Sequence, residues 1–336
     1  MPGKNEQDFA LVVGINHYRA LNPLDGAMDD ARAFHHWLLA EAGGNLPEEN
    51  ITAFLSTPDA KHPRLDELVD WFIELIETHS PDLDEKIGRR LYLFLAGHGI
   101  GPGIDEAGLL TPNTSALAVK YLAARRFADY YREAALFDEV LLFMDCCRDH
   151  EWDLPQPYFP LRRQVDVGAA QAVKNMYVYA TGFGRKARER DFDGMIGGIF
   201  TRALMEALSG KAADGKGRIT GEGLKSYLAR RVEDLRADGT DQSPHILLPK
   251  DFVLCEGLEP PRVTVTVELS DPAKEFVILL GDGLVPVPGE VRQISDKRRE
   301  VDLPPNATYL FQLMDNGAPV KLAGRLITEE DRYVTL

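Results

Sequence analysis

Cysteine is scarce in this chain, with three in 336 residues, two of them adjacent. That excludes a disulfide framework and points to a reducing compartment, where thiols serve packing or chemistry. No apolar stretch approaches the roughly 20 residues of a membrane span. The first residues, MPGKNEQDFALVVGIN, run into a strand-like segment without the basic, apolar and cleavage regions of a leader. A cytoplasmic protein with no membrane span is therefore expected. Basic residues are in deficit, 38 Lys and Arg against 53 Asp and Glu, for a net charge of −15. Nucleic-acid binding is disfavoured, because phosphate contacts need a concentrated basic face. A glycine-rich phosphate loop is also missing: the segment LVVGIN carries one glycine, which removes the main support for a nucleotide-binding domain.

What is present is an alternation of short apolar runs and amphipathic stretches. FALVVGIN (9–16), RLYLFLAGHG (90–99), EVLLFMDCC (139–147) and MYVYATG (176–182) read as buried strands of a parallel sheet. Helical patterns lie at 29–43, 64–80, 124–137 and 198–210, and a further helix at 220–235 opens on a Thr in the capping position. The fold class expected is α/β, a mostly parallel sheet flanked by helices. Past LCEGLEPPRV the runs RVTVTVEL, EFVILLG and TYLFQLM are separated by Pro, Gly and Asp turns, which reads as a small all-β domain beginning near Pro260. The expected domains are 1–258 and 259–336. The stretch 148–172 is irregular and Pro-rich, and a long loop beside a chemically capable segment is commonly functional.

In an open parallel sheet, ligands bind beyond the carboxyl ends of the strands. Two such ends carry reactive groups: LAGHG places His98 there, and MDCC places Cys146 and Cys147 there. Consecutive residues on an extended strand face opposite ways, so one cysteine is packed and the other exposed. A neighbouring imidazole that takes the thiol proton turns that cysteine into a nucleophile.

His at one strand end and Cys at the next, 49 residues downstream, within Asp145-Cys146-Cys147-Arg148-Asp149, resembles the catalytic pair of caspase-like cysteine peptidases, the clan of caspases, metacaspases and bacterial orthocaspases. ALVVGINHY, LDGAMDDARAFHHWL, YLFLAGHG, LLFMDCCRD, GGIFTRALMEAL, RITGEGLKSYL and QSPHIL follow the family's order over roughly residues 8–250. The resemblance implies a caspase-like fold and a His98–Cys147 dyad, with Cys146 a structural neighbour. It also implies an oxyanion site made by the backbone N–H groups of Gly99 and Cys147. Where metacaspases continue His-Ser-Gly, this chain has Arg148-Asp149-His150. His150 is a rival base, though three residues from the nucleophile it is poorly placed.

Asp145 stands where caspases have Gln, and Asp30 matches a second pocket acid of metacaspases, with Asp29 able to take either part. Two carboxylates facing one pocket favour a guanidinium or ammonium. Cleavage after Arg or Lys of protein substrates is expected, in regulated cell death or antiphage defence by analogy. No cofactor is expected. Calcium dependence stays open: clustered acids in RERDFDG (188–194) lack the usual Asp-x-Asp-x-Asp-Gly loop. Arg162, Arg163, Arg185, Lys186, Arg188 and Arg190 are candidate self-cleavage sites. The alternative reading is a catalytically silent caspase-fold adaptor, and the β domain is a candidate partner-binding element.

Overall fold

The computed structural model describes residues 3–104, 106–115, 117–149, 159–161, 167–237, 239–259, 262–281, 283–287, 290–305, 307–327 and 332–336. His150, Arg162, Arg163 and Pro260 lie outside the described residues. The chain divides into two compact units, residues 1–205 with 225–252, and residues 206–224 with 253–336. Among the described residues no helix is long and apolar enough to cross a membrane.

The first unit is built on a six-stranded sheet: β1 (Asp8–Gly14), β2 (Ile51–Leu55), β3 (Gly88–Ala96), β4 (Phe137–Asp145), β5 (Lys174–Tyr179) and β6 (His245–Leu247). Their order is β6-β5-β4-β3-β1-β2. The first five run parallel, and β6 closes the β5 edge antiparallel. Helices α1 (Ala27–Leu39), α2 (Leu65–His79) and α3 (Ala124–Glu133) are joined by α4 (Ile199–Glu206) and α5 (Gly221–Leu235). Thr220 Oγ1 accepts the Gly223 N–H at 3.1 Å, capping α5.

Strands β3 and β4 are apolar from Leu91 to Ala96 and from Val140 to Met144, where both faces are covered. On one face Phe72 of α2 and Phe127 of α3 stack at 4.3 Å, above Leu93, Leu95, Leu142 and Met144. On the other, Phe34 of α1 stacks on Phe94 at 4.5 Å and lies against Phe143. A core aromatic of this kind contributes about 3–5 kcal/mol against alanine. The buried stripe of α1 runs Ala27, Asp30, Ala31, Phe34, Trp37 and Leu38, the helical spacing of a packed face. Asp30 is the one acid in that stripe. A carboxyl there has a packing cost that no hydrophobic contact explains.

The second unit holds two four-stranded sheets. One orders 292–293, 298–303, 263–268 and 333–335; the other orders 285–286, 275–280, 307–315 and 318–327. Val263, Val265 and Val267 point inward and alternate with more exposed Thr264 and Thr266, and they share a core with Ile278, Tyr309, Phe311 and Leu313 of the other sheet.

Candidate active site

Register decides what meets at the top of the sheet. Ala96 at the end of β3 lies directly opposite Asp145 at the end of β4, and Gly14 at the end of β1 lies opposite Ala96. His98 and Cys147 each follow two residues later, so they leave adjacent parallel strands at the same level. The Gly97 N–H bonds to the Asp145 carbonyl at 3.2 Å and fastens the two exits together. Gly97 adopts φ +155°, and a Cβ there would lie 2.6 Å from the Tyr18 hydroxyl. Only glycine fits.

His98 is held from three sides. Its Nε2 faces the Asn22 carbonyl at 2.8 Å, its backbone N–H donates to the Tyr18 hydroxyl at 2.7 Å, and its ring packs on the Tyr18 ring at 4.7 Å. A carbonyl only accepts, so Nε2 carries the proton and Nδ1 is the basic nitrogen. Asn22 precedes Pro23, which biases its backbone toward extended conformations and away from a helix.

Strand parity separates the two cysteines. Cys146 continues the Leu142 and Met144 face into the core and is 1% exposed. Cys147, in phase with Phe143 and Asp145, is half-buried and lines a cavity of about 560 Å³ together with His98, Gly99, Asp30 and Asp145. Its Sγ lies 3.6 Å from the Ala187 carbonyl. Burial pushes the Cys147 thiol up, with Asp149 and Asp145 acting in the same direction. The thiol is neutral at rest and needs a base. Among the described residues no hydrogen bond engages the Cys147 backbone N–H. Gly99 packs so tightly on this turn that a Cβ would lie 2.5 Å from Cys146 Sγ and from the Cys147 carbonyl oxygen. The short strand Gly108–Leu110 runs antiparallel to Gly99–Ile100; the Leu110 N–H bonds to the His98 carbonyl, so the next residue, Gly99, turns its N–H away from that strand.

Arg148, the departure from the metacaspase motif, is buried beneath the turn. Its guanidinium lies over the Tyr179 ring at 4.5 Å and donates to the Ile104 carbonyl at 2.7 Å. Its backbone bonds twice to the neighbouring segment, N–H to the Arg185 carbonyl and carbonyl to the Gly184 N–H.

The far wall of the cavity is acidic. Asp30 and Asp145 are only 9% and 7% exposed. Asp30 accepts the Gly198 N–H at 2.9 Å, while Asp145 accepts the Thr201 N–H at 3.0 Å and its hydroxyl at 2.7 Å. Glu189 completes the wall, its carboxylate taking the N–H groups of Asp25 at 3.2 Å and Gly26 at 2.8 Å. Burial, then the Asp145 charge, push Asp30 well above the usual carboxylate range. Burial likewise raises Asp145 to about 6. None of the three is ion-paired with any described residue. Asp29 sits apart, exposed and paired with Arg32.

A caspase domain family model matches residues 7–249. The chain belongs to this family of cysteine peptidases. A protein of a Desulfuromonadales bacterium named as a probable protease is 30% identical over 236 residues, which is 67% of this chain and 28% of that protein. The chain thus matches little more than a quarter of that relative's length. Caspase-1 from Spodoptera frugiperda superposes with a TM-score of 0.52 at 16% identity, covering 76% of this chain and 92% of that one. That likeness establishes the fold, α/β with a mostly parallel central sheet, and a peptidase family implies a protein or peptide substrate.

Tyr18, Asn22, Glu189 and Gln242 were not singled out by sequence reasoning, although Glu189 lies in the acid cluster 188–194. Glu189 reaches the site from the hairpin formed by Glu189–Phe192 and Met195–Gly198. Asp191 of the same hairpin is occupied by the Gly194 N–H at 2.6 Å. Among the described residues no group of three or more His, Cys, Asp or Glu side chains is placed to hold a metal ion. Of the basic residues nearby, Arg185 pairs with Asp241, Lys186 with Asp149 at 3.2 Å, and Arg190 donates to the Leu235 carbonyl.

Proposed function

We propose that the chain is a cytoplasmic cysteine endopeptidase that cuts after Arg or Lys, with Cys147 as nucleophile and His98 as base. The carrying observation is that Asp30, Asp145 and Glu189 line the cavity that contains Cys147 and His98 while none of them has a cationic partner among the described residues. Like charges crowded out of water raise one another's pKa, and a cation entering the cavity relieves that cost. A guanidinium can pair bidentately with one carboxylate and donate to another.

In the reaction, Cys147 Sγ attacks the carbonyl carbon of the residue before the cut while Nδ1 of His98 takes the thiol proton. The N–H groups of Cys147 and Gly99 receive the developing oxyanion. His98 then returns its proton to the leaving amine, and water, deprotonated by the same nitrogen, hydrolyses the thioester. The Asn22 carbonyl fixes the ring tautomer and steadies the imidazolium. A role in regulated cell death or antiphage defence goes with this reading by family analogy.

The test is hydrolysis of an Arg-containing fluorogenic peptide by the wild type, Cys147→Ala and His98→Ala. Wild-type turnover that both variants lose supports the dyad. A folded wild type that cleaves no peptide favours the silent adaptor.

A further inference from the structure

Gln242 is a buried amide, 1% exposed, on the stretch that leads into β6. Its Oε1 accepts the Arg188 N–H at 3.0 Å, and its Nε2 donates to the Ala180 carbonyl over a longer 3.4 Å. The orientation is forced, since an N–H on one side requires oxygen and a carbonyl on the other requires nitrogen. One side chain therefore ties the end of β5 to the segment Lys186–Ala187–Arg188. The Arg188 carbonyl is fixed as well, accepting the Ile199 N–H at 3.0 Å.

We infer that Gln242 is a positioning residue for the proposed peptidase reaction, holding Ala187 where a substrate main chain must pair. The inference rests on the dyad reading above. The Ala187 carbonyl lies 3.6 Å from Cys147 Sγ, and its N–H has no hydrogen-bond partner among the described residues. The carbon that Sγ attacks belongs to the residue before the cut, whose own N–H is two bonds away. An acceptor beside Sγ is within reach of that N–H, in the manner of a peptide strand adding to an exposed edge. The Cys147 thiol faces this acceptor; with substrate bound the peptide N–H replaces it. Without Gln242 nothing else among the described residues bonds the Arg188 N–H, and the edge loses its anchor next to the reacting atoms.

The experiment is a double cycle that pairs Gln242→Met, nearly isosteric, with a depsipeptide. In the depsipeptide an ester oxygen replaces the N–H of the Arg before the cut. In the wild type the ester lowers kcat/KM about three- to tenfold, the worth of one hydrogen bond. Gln242→Met lowers kcat/KM for the amide peptide about tenfold, mainly through KM, while alkylation of Cys147 by iodoacetamide stays within about twofold of wild type. The decisive result is that the two losses do not add: in Gln242→Met the ester penalty falls below about twofold. Penalties that multiply in full overturn the assignment. Gln242→Ala is the second variant, and if neither variant folds, Gln242 is a structural residue and the assignment is overturned. A wild type that cleaves no basic peptide fails the parent reading, and it does so before any variant is made.

Discussion

Asp145 stands directly opposite Ala96 in the parallel register of β3 and β4. From that pairing the rest of the site follows. Two residues beyond Ala96 is His98, two beyond Asp145 is Cys147, and strand parity puts Asp145 and Cys147 on one face and Cys146 on the other. The acid and the nucleophile therefore address one cavity from one strand.

The buried Cys146 and the cavity-lining Cys147 respond differently to chemistry and mutation. Iodoacetamide labels Cys147 and leaves Cys146 unmodified in the folded protein, as read by peptide mass mapping. Cys146→Ala keeps turnover within about threefold and costs about 1 kcal/mol of stability for the small void it leaves. An inactive Cys146→Ala beside an active Cys147→Ala would reverse the assignment.

Glu189 is the half-buried member of the acid wall, reached from a hairpin far along the chain. Glu189→Gln lowers kcat/KM for Arg peptides about 10- to 100-fold, the range for one hydrogen bond to a charged group. Steady-state kinetics on Arg and citrulline peptides provide the measurement. Citrulline, which has the shape of arginine without its charge, discriminates poorly between wild type and variant; equal losses on both peptides would remove Glu189 from charge recognition.

Acid should weaken substrate binding. Asp145, raised to about 6 by burial, and Asp30, raised well above the usual carboxylate range by burial and the Asp145 charge, hold protons in acid that a basic side chain must displace. KM for Arg peptides rises up to about tenfold per pH unit below 6 for the Asp145 proton displaced. A KM flat from pH 7 to 5 would show that these carboxyls do not meet the substrate.

The same shifts reverse the usual sign for stability. A carboxyl with a raised folded-state pKa favours the folded form at low pH and loses that contribution as pH climbs through about 6. At pH 7 Asp145 is therefore a net cost. Asp145→Asn, which still accepts from Thr201, is more stable than wild type by on the order of 2 kcal/mol at pH 7, and the gap closes by pH 4. Thermal melts across that range check it, alongside loss of Arg-peptide turnover.

Much of this was legible in the sequence where chemistry sits on a regular element. The runs Leu91–Ala96 and Val140–Met144 are apolar because both faces are buried, so they mark strands, and their ends mark His98 and Cys147. Asp145 was legible as an acid at the end of an apolar strand, whereas Asp30 was reached only through the family resemblance, with Asp29 as a rival. Strand β2, ITAFL, was missed because a half-buried edge strand shows neither a continuous apolar run nor strict alternation. The Asn22 and Ala187 carbonyls leave no side-chain trace. Glu189 meets Asp25 across 164 residues, and Gln242 meets Arg188 across 54. Such pairings are set by the order of strands in the sheet, which periodicity alone does not encode.

The central claim is that an acidic cavity beside the Cys147 thiol selects a basic residue. Fluorogenic peptides identical except for the residue before the cut, with Arg, Lys, citrulline, Ala and Asp in turn, test it most directly. Turnover of Arg and Lys peptides at least 100-fold above the citrulline and Asp peptides, absent in Cys147→Ala, is the result expected from burying an unpaired carboxylate or leaving acids unneutralised. Efficient cleavage after Asp by the unmodified protein would contradict it.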